Sequence, residues 1–237
     1  MKVLKNFLLQ QRHFIVLIVF IPLQIWFAHL EMTVYPKYIT NVAFDNRIPF
    51  VKEFVIPYIL LFPYIAYGII YTGMHSKKNY YKLIVFLAGS MALSCAIYAM
   101  FPNGQTLRPV VKGNDVFSVL VRFIYASDTP TDVCPSMHVI DAIAVNTALF
   151  NTDAFSKHRC LKALSFVTMI FMCLSTVLIK QHAIFDVFCG LITAAVFYFA
   201  LYLLPIHKIH HEPGTIFDPL TSKSKIEAQL ASKQHKL

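Results

Sequence analysis

Six apolar runs dominate this 237-residue chain: His13–Leu30, Phe54–Met74, Tyr81–Phe101, Ser136–Phe150, Leu161–Ile179 and Ala183–Leu204. A hydrocarbon core about 30 Å thick asks for about 20 apolar residues per helical crossing. Hydrophobic residues make up 57% of the chain and charged ones only 14%, too little polar material to cover a soluble surface of this size. The pattern predicts an all-α polytopic membrane protein, a bundle of six transmembrane helices over residues 1–207 followed by a polar tail, 208–237.

The first run follows Lys2, Lys5 and Arg12 as a signal peptide would, but it continues into "FAHLEM" without a small-x-small cleavage site, so a retained helix is expected. Lysines and arginines set the orientation, because positively charged connections stay cytoplasmic. Fourteen of the 21 lie before the first run, in the connections around Lys77 and Arg159, or in the tail. Both termini are therefore expected inside, with the plasma membrane as the expected location. The net charge of +9 follows from this cytoplasmic excess and from anionic headgroups as partners, and nucleic acid is not an expected partner.

Between the first two runs, Pro36, Asp45-Asn46 and Pro49 carry turn chemistry. Pro57 and Pro63 predict a kink in the second helix. The longest outer segment, residues 102–135, contains "NDVFSVLVRFIYASD", which Asn114 or Asp115 can cap. Val116, Val119, Leu120 and Phe123 give it an apolar stripe, so a short external helix lying on the bilayer or on the bundle is expected. Five cysteines imply no disulfide framework, and Cys95, Cys173 and Cys189 read as small buried hydrophobes. The tail beyond Pro205 reads as a solvated helix or disorder. Its His207, His210 and His211 have a spacing that suits either zinc or a polar cap at the inner interface.

Ionisable residues gather at the outer ends of the runs. In "DVCPSMHVIDA", Pro135 suits the first turn of a helix, so a helix is expected to begin at "SMHV" with unpaired backbone N–H groups facing outward, where an anion would be welcome. Ser136–Phe150 is 15 residues, about 22 Å, so its start is expected below the headgroups. In "KQHAIFDV", His182 and Asp186 are four apart and share a helical face. A carboxylate against one imidazole nitrogen fixes the tautomer and leaves the other free to attack or to bind metal. Arg108 adds a donor fork that matches phosphate oxygens.

Arg108-Pro109, "PSMH" and Ser175 with "HAIFD" resemble the three-part pattern of the type 2 phosphatidic acid phosphatase superfamily: Lys-x6-Arg-Pro, Pro-Ser-Gly-His and Ser-Arg-x5-His-x3-Asp. The resemblance covers most of residues 50–205. It implies six helices and a metal-independent phosphoric monoester hydrolase without a cofactor, acting on a lipid phosphate from the extracytoplasmic side. His182 would attack phosphorus with Asp186 in support, and His138 would protonate the leaving alkoxide. Ser136, the Met137 backbone amide and Arg108 would hold the phosphoryl oxygens, with Ser175 as possible support.

The family lysine, glycine and arginine are Phe101, Met137 and Thr176 here, so two of three expected cations are absent. Lys180 and Lys112 are the candidates to restore charge. The "PSxH" and "KQHxxxD" variants lean toward the inositol phosphorylceramide synthase-like branch, which includes transferases. A lipid phosphotransferase, an inactive relative and a non-enzymatic lipid-binding or transport protein are the competing expectations. Asp141 shares the face of His138, where it either orients that histidine or serves packing. Tyr125, Asp128 and Asp132 either contact substrate or finish the external helix.

Overall fold

The computed structural model describes residues 12–204. The chain divides into two units, Met1–Leu201 and Tyr202–Leu237. The predicted boundary after residue 207 and the three tail histidines lie outside the described residues.

Helix dominates. A 3₁₀ segment, Arg12–Val19, runs into α1 (Phe20–Thr33), and short 3₁₀ turns at Ala43–Arg47 and Lys52–Phe54 lead to α2 (Val55–Ile59) and α3 (Leu61–His75). Then follow α4 (Lys77–Met100), α5 (Val116–Ser127), α6 (Met137–Phe150), the one-turn α7 (Asp153–Ser156), α8 (Arg159–Leu178) and α9 (Ile184–Tyr198). Two-residue strands β1 (Tyr38–Ile39) and β2 (Asn103–Gly104) pair in parallel and tie the loop after α1 to the loop after α4.

Among the described residues, five helical segments are long and apolar enough to cross a membrane: Arg12–Thr33, Lys52–His75, Lys77–Met100, Arg159–Leu178 and Ile184–Leu203. Their outward faces are apolar, with Ile18, Ile25, Phe62, Ile70, Val85, Phe171 and Ile192 all exposed. Such a surface is compatible with lipid around the bundle and unlike that of a soluble domain. The fourth expected span is shorter: α6 has 14 residues, about 21 Å, against a core of about 30 Å.

α6 sits at the centre and packs against α3, α4, α8 and α9. Val139, Ile140, Ala142, Ala144, Val145, Ala148 and Leu149 are all buried. Its alanines let neighbours approach closely, as small residues do between membrane helices. Gly68 of α3 shows how close, since a Cβ there would lie 2.5 Å from a Val145 methyl. The second span is interrupted at Leu60, one turn after Pro57 and just before Pro63, which can donate no N–H to the turn before it.

The long loop between α4 and α6 carries the helix α5. Asp115 caps it, accepting from Ser118 N at 3.2 Å, and Lys52 pairs with the same carboxylate at 2.7 Å. Val121 and Ile124 pack with Val55, Tyr58 and Ile179, whereas Val116, Val119 and Phe123 stay exposed. The expected stripe is thus largely exposed, apart from Leu120, which packs against that cluster, and Phe123 also borders a cavity beside α6.

Candidate active site

Two chain reversals bring the polar clusters of the sequence together. The first precedes α6. The Asn103 carboxamide accepts from Val133 N at 3.0 Å and Cys134 N at 2.8 Å, and donates to Cys134 O at 3.0 Å. Tyr98 of α4 donates to Pro135 O at 2.7 Å. These bonds hold Ser136 at the N-terminal boundary of α6, where its hydroxyl is fully buried, does not cap the helix and has no partner among the described residues. The first N–H groups of α6 have no acceptor within the helix either.

The second reversal joins α8 to α9. Thr176 O accepts from both Gln181 N at 2.9 Å and His182 N at 3.0 Å, while Lys180 takes a left-handed φ of 57°. The chain then enters α9, where Asp186 accepts from Ala183 N at 2.8 Å through Oδ2. Ser136 N donates to Asp186 O at 3.1 Å, so the two reversals are bonded to each other. Gly190 makes this possible: a Cβ on it would stand 2.9 Å from Ser136 O.

The result places His182 Nε2 3.3 Å from His138 Nδ1. Behind His182, its Nδ1 lies 3.7 Å from Asp186 Oδ2, beyond hydrogen-bond length but within ion-pair range. His182 is 6% exposed and Asp186 fully buried, so the carboxylate acts on the imidazole through little intervening water. The tautomer with Nδ1–H of His182 toward Asp186 would leave Nε2 with the lone pair, placed to accept from His138 Nδ1–H. A space of about 20 Å³ beside the pair is lined also by Asp128, Asp132, Met137 and Gln181.

A second layer surrounds His138. The Tyr58 ring stacks on it with centroids 4.6 Å apart. Tyr58 OH donates to Asp128 Oδ2 at 2.9 Å, and Gln181 Nε2 donates to the same oxygen at 2.8 Å. Arg108 lies over the Tyr125 ring at 4.6 Å and donates to Tyr125 O at 3.1 Å and Asp128 O at 2.7 Å. Its buried Nε–H has no partner among the described residues. Burial holds its pKa below the usual arginine range, with Asp128 opposing the shift.

The other sequence-derived candidates are placed differently. Lys180 does not join the histidines: its ammonium donates to Asp45 O at 2.8 Å and Ile48 O at 2.7 Å, and desolvation lowers its pKa. Lys112 is exposed and has no hydrogen-bond partner among the described residues. Ser175 donates to Met172 O at 2.6 Å within α8. Asp141 lies one turn below His138, in the wall of a cavity. Tyr125 donates to Ile179 O at 2.6 Å, tying α5 to the end of α8.

Sequence reasoning passed over Tyr58, Asn103, Gln181 and Asp45. A tyrosine in an apolar run and an asparagine in "PNGQ" are visible signals, but only contacts give them roles. Asp45, read as turn chemistry, is buried: Oδ1 accepts from Ile184 N at 2.9 Å and so braces the start of α9.

No protein-family model, no curated protein and no solved structure matches this chain.

Proposed function

We propose that this protein is an integral membrane lipid phosphatase of the type 2 phosphatidic acid phosphatase kind. It hydrolyses a lipid phosphomonoester or diphosphate through a phosphohistidine. In this reading six spans place both termini in the cytoplasm, with α5 and the paired reversals at the extracytoplasmic face of the plasma membrane. The single observation that carries the reading is the His138–His182–Asp186 array, 3.3 Å and 3.7 Å between successive partners, at the start of a helix with free N–H groups.

His182 Nε2 attacks phosphorus, and the bond from phosphorus to the lipid oxygen breaks. His138, protonated, gives that oxygen its proton, then takes one from the water that cleaves the phosphohistidine. Asp186 stabilises the imidazolium character that develops on His182. The first amides of α6, Ser136 Oγ and Arg108 Nε–H are the donors available to the phosphoryl oxygens. A phosphoryl group cannot fit between ring nitrogens 3.3 Å apart, so binding requires His138 and His182 to separate.

The test is phosphate release by purified protein in detergent from phosphatidic acid, phosphatidylglycerol phosphate and undecaprenyl diphosphate. Release from one lipid with acid-labile phosphate trapped on the protein, both lost in His182→Ala, is the expected result. Transfer of the phosphoryl group only when an alcohol is supplied would replace the hydrolase with a phosphotransferase. No release and no trapped phosphate would overturn both.

A further inference from the structure

Below His138 the bundle is hollow. A cavity of about 580 Å³ lies among α1, α2, α3, α4, α5 and α6, with a wall that is mostly aliphatic and aromatic. Its α1 lining runs from Phe20 to Glu31, about 16 Å along the helix axis, and its α3 lining from Leu61 to Ile69, about 12 Å. That size suits a drug-sized or single-chain ligand. At the outer end the wall includes Asp128 and His138, so an occupant with an apolar chain inside presents its head to the histidine pair.

One feature of the wall does not suit a plain hydrocarbon. Asp141 shares the helical face of His138, about 4.5 Å further along α6. Its carboxyl borders the cavity, and among the described residues it has neither hydrogen bond nor ion pair. An unpartnered carboxyl among apolar side chains at membrane depth is costly and marks a place where a ligand supplies the partner. Gln24 of α1, also in the wall, is a second polar group with no partner among the described residues.

We infer that the cavity holds the chain of the lipid phosphate and that Asp141 accepts a hydrogen bond from a hydroxyl or amine on that chain. With the phosphate at the histidine pair, Asp141, one helical turn further along α6, places the donor near the head of the chain. The substrate class is then a single-chain lipid phosphate carrying a hydroxyl or amine near its head, in preference to an unsubstituted alkyl or prenyl phosphate. This inference rests on the phosphatase reading only in seating the phosphate at the histidines.

Binding tests it without turnover. The full chain with His182→Ala, purified in detergent, is titrated with two phosphates of equal chain length, an n-alkyl phosphate and its 2-hydroxy counterpart. The hydroxylated lipid is expected to bind up to about tenfold more tightly, as one added hydrogen bond predicts. That ratio should shrink in Asp141→Asn, which keeps one acceptor oxygen and replaces the other with an NH2 donor, and vanish in Asp141→Leu. If the leucine variant does not fold, the comparison with asparagine decides. Equal binding of the two lipids, or a ratio unchanged by either substitution, overturns the inference. Parallel phosphate-release assays with His182 intact separate the two ideas. A binding preference without release leaves the cavity assignment and removes the phosphatase, whereas release without preference does the reverse.

Discussion

Replacing Asp132 by asparagine should make the protein more stable at neutral pH and leave it unchanged in acid. Asp132 sits in the loop before α6, is 5% exposed, and neither carboxyl oxygen has a hydrogen-bond partner among the described residues. Burial, and then the nearby charge of Glu31, raises its pKa from 3.8 to about 6. The folded chain therefore binds this proton more tightly than the unfolded chain. Stability falls as pH rises from about 4 through about 6 and stays at the lower value above that. A shift of about two units corresponds to at most about 3 kcal/mol at pH 7, nearer 2 after solvent screening. Asparagine has no charge to desolvate and tolerates the left-handed φ of 54° found here. Thermal unfolding in neutral detergent, followed by the single tryptophan, should show Asp132→Asn about 4–8 °C above wild type at pH 7.5. The two should converge at pH 4. Parallel curves across that range, or a lower Tm for the variant at pH 7.5, would refute the reasoning.

Lys180→Met removes two charge-assisted bonds to the carbonyls of Asp45 and Ile48 and should cost about 2–4 kcal/mol. In phosphate-release assays its KM should stay at the wild-type value, and a raised KM would return Lys180 to the phosphate. Gly190→Ala pushes a methyl against Ser136 O, at an overpacking cost of about 1–3 kcal/mol. By spreading the two reversals it should lower phosphate release by about 100-fold, and wild-type turnover would show that the contact does not set the geometry. Tyr58→Phe keeps the ring on His138 but takes a partner from both Asp128 and Gln181, and a Tm drop equivalent to about 1–3 kcal/mol is expected.

Much of the candidate site was legible because its chemistry is local. "PSMH" opens a helix as read, whereas His182 stands two residues before α9 and Asp186 in its first turn, so the two are close through the helix start and do not share a helical face. The cations were not legible in this way. Lys180 is two residues from His182, yet a residue with positive φ at that point turns its side chain toward Asp45 and Ile48. Tyr58 and Asn103 touch the site across sequence separations that no spacing rule connects to it.

Apolar run length by itself determined a helical chain with spans compatible with a membrane, because hydrocarbon thickness converts directly into residues per helix. It left α6 undecided, since 14 residues match a place inside the bundle as well as a crossing. Only the tertiary structure decided that His138 and His182, 44 positions apart, stand 3.3 Å from each other. That distance depends on Gly190, Asn103 and Asp45 holding two reversals together. Backbone contacts of this kind are made between segments, and periodicity within a segment carries no record of them.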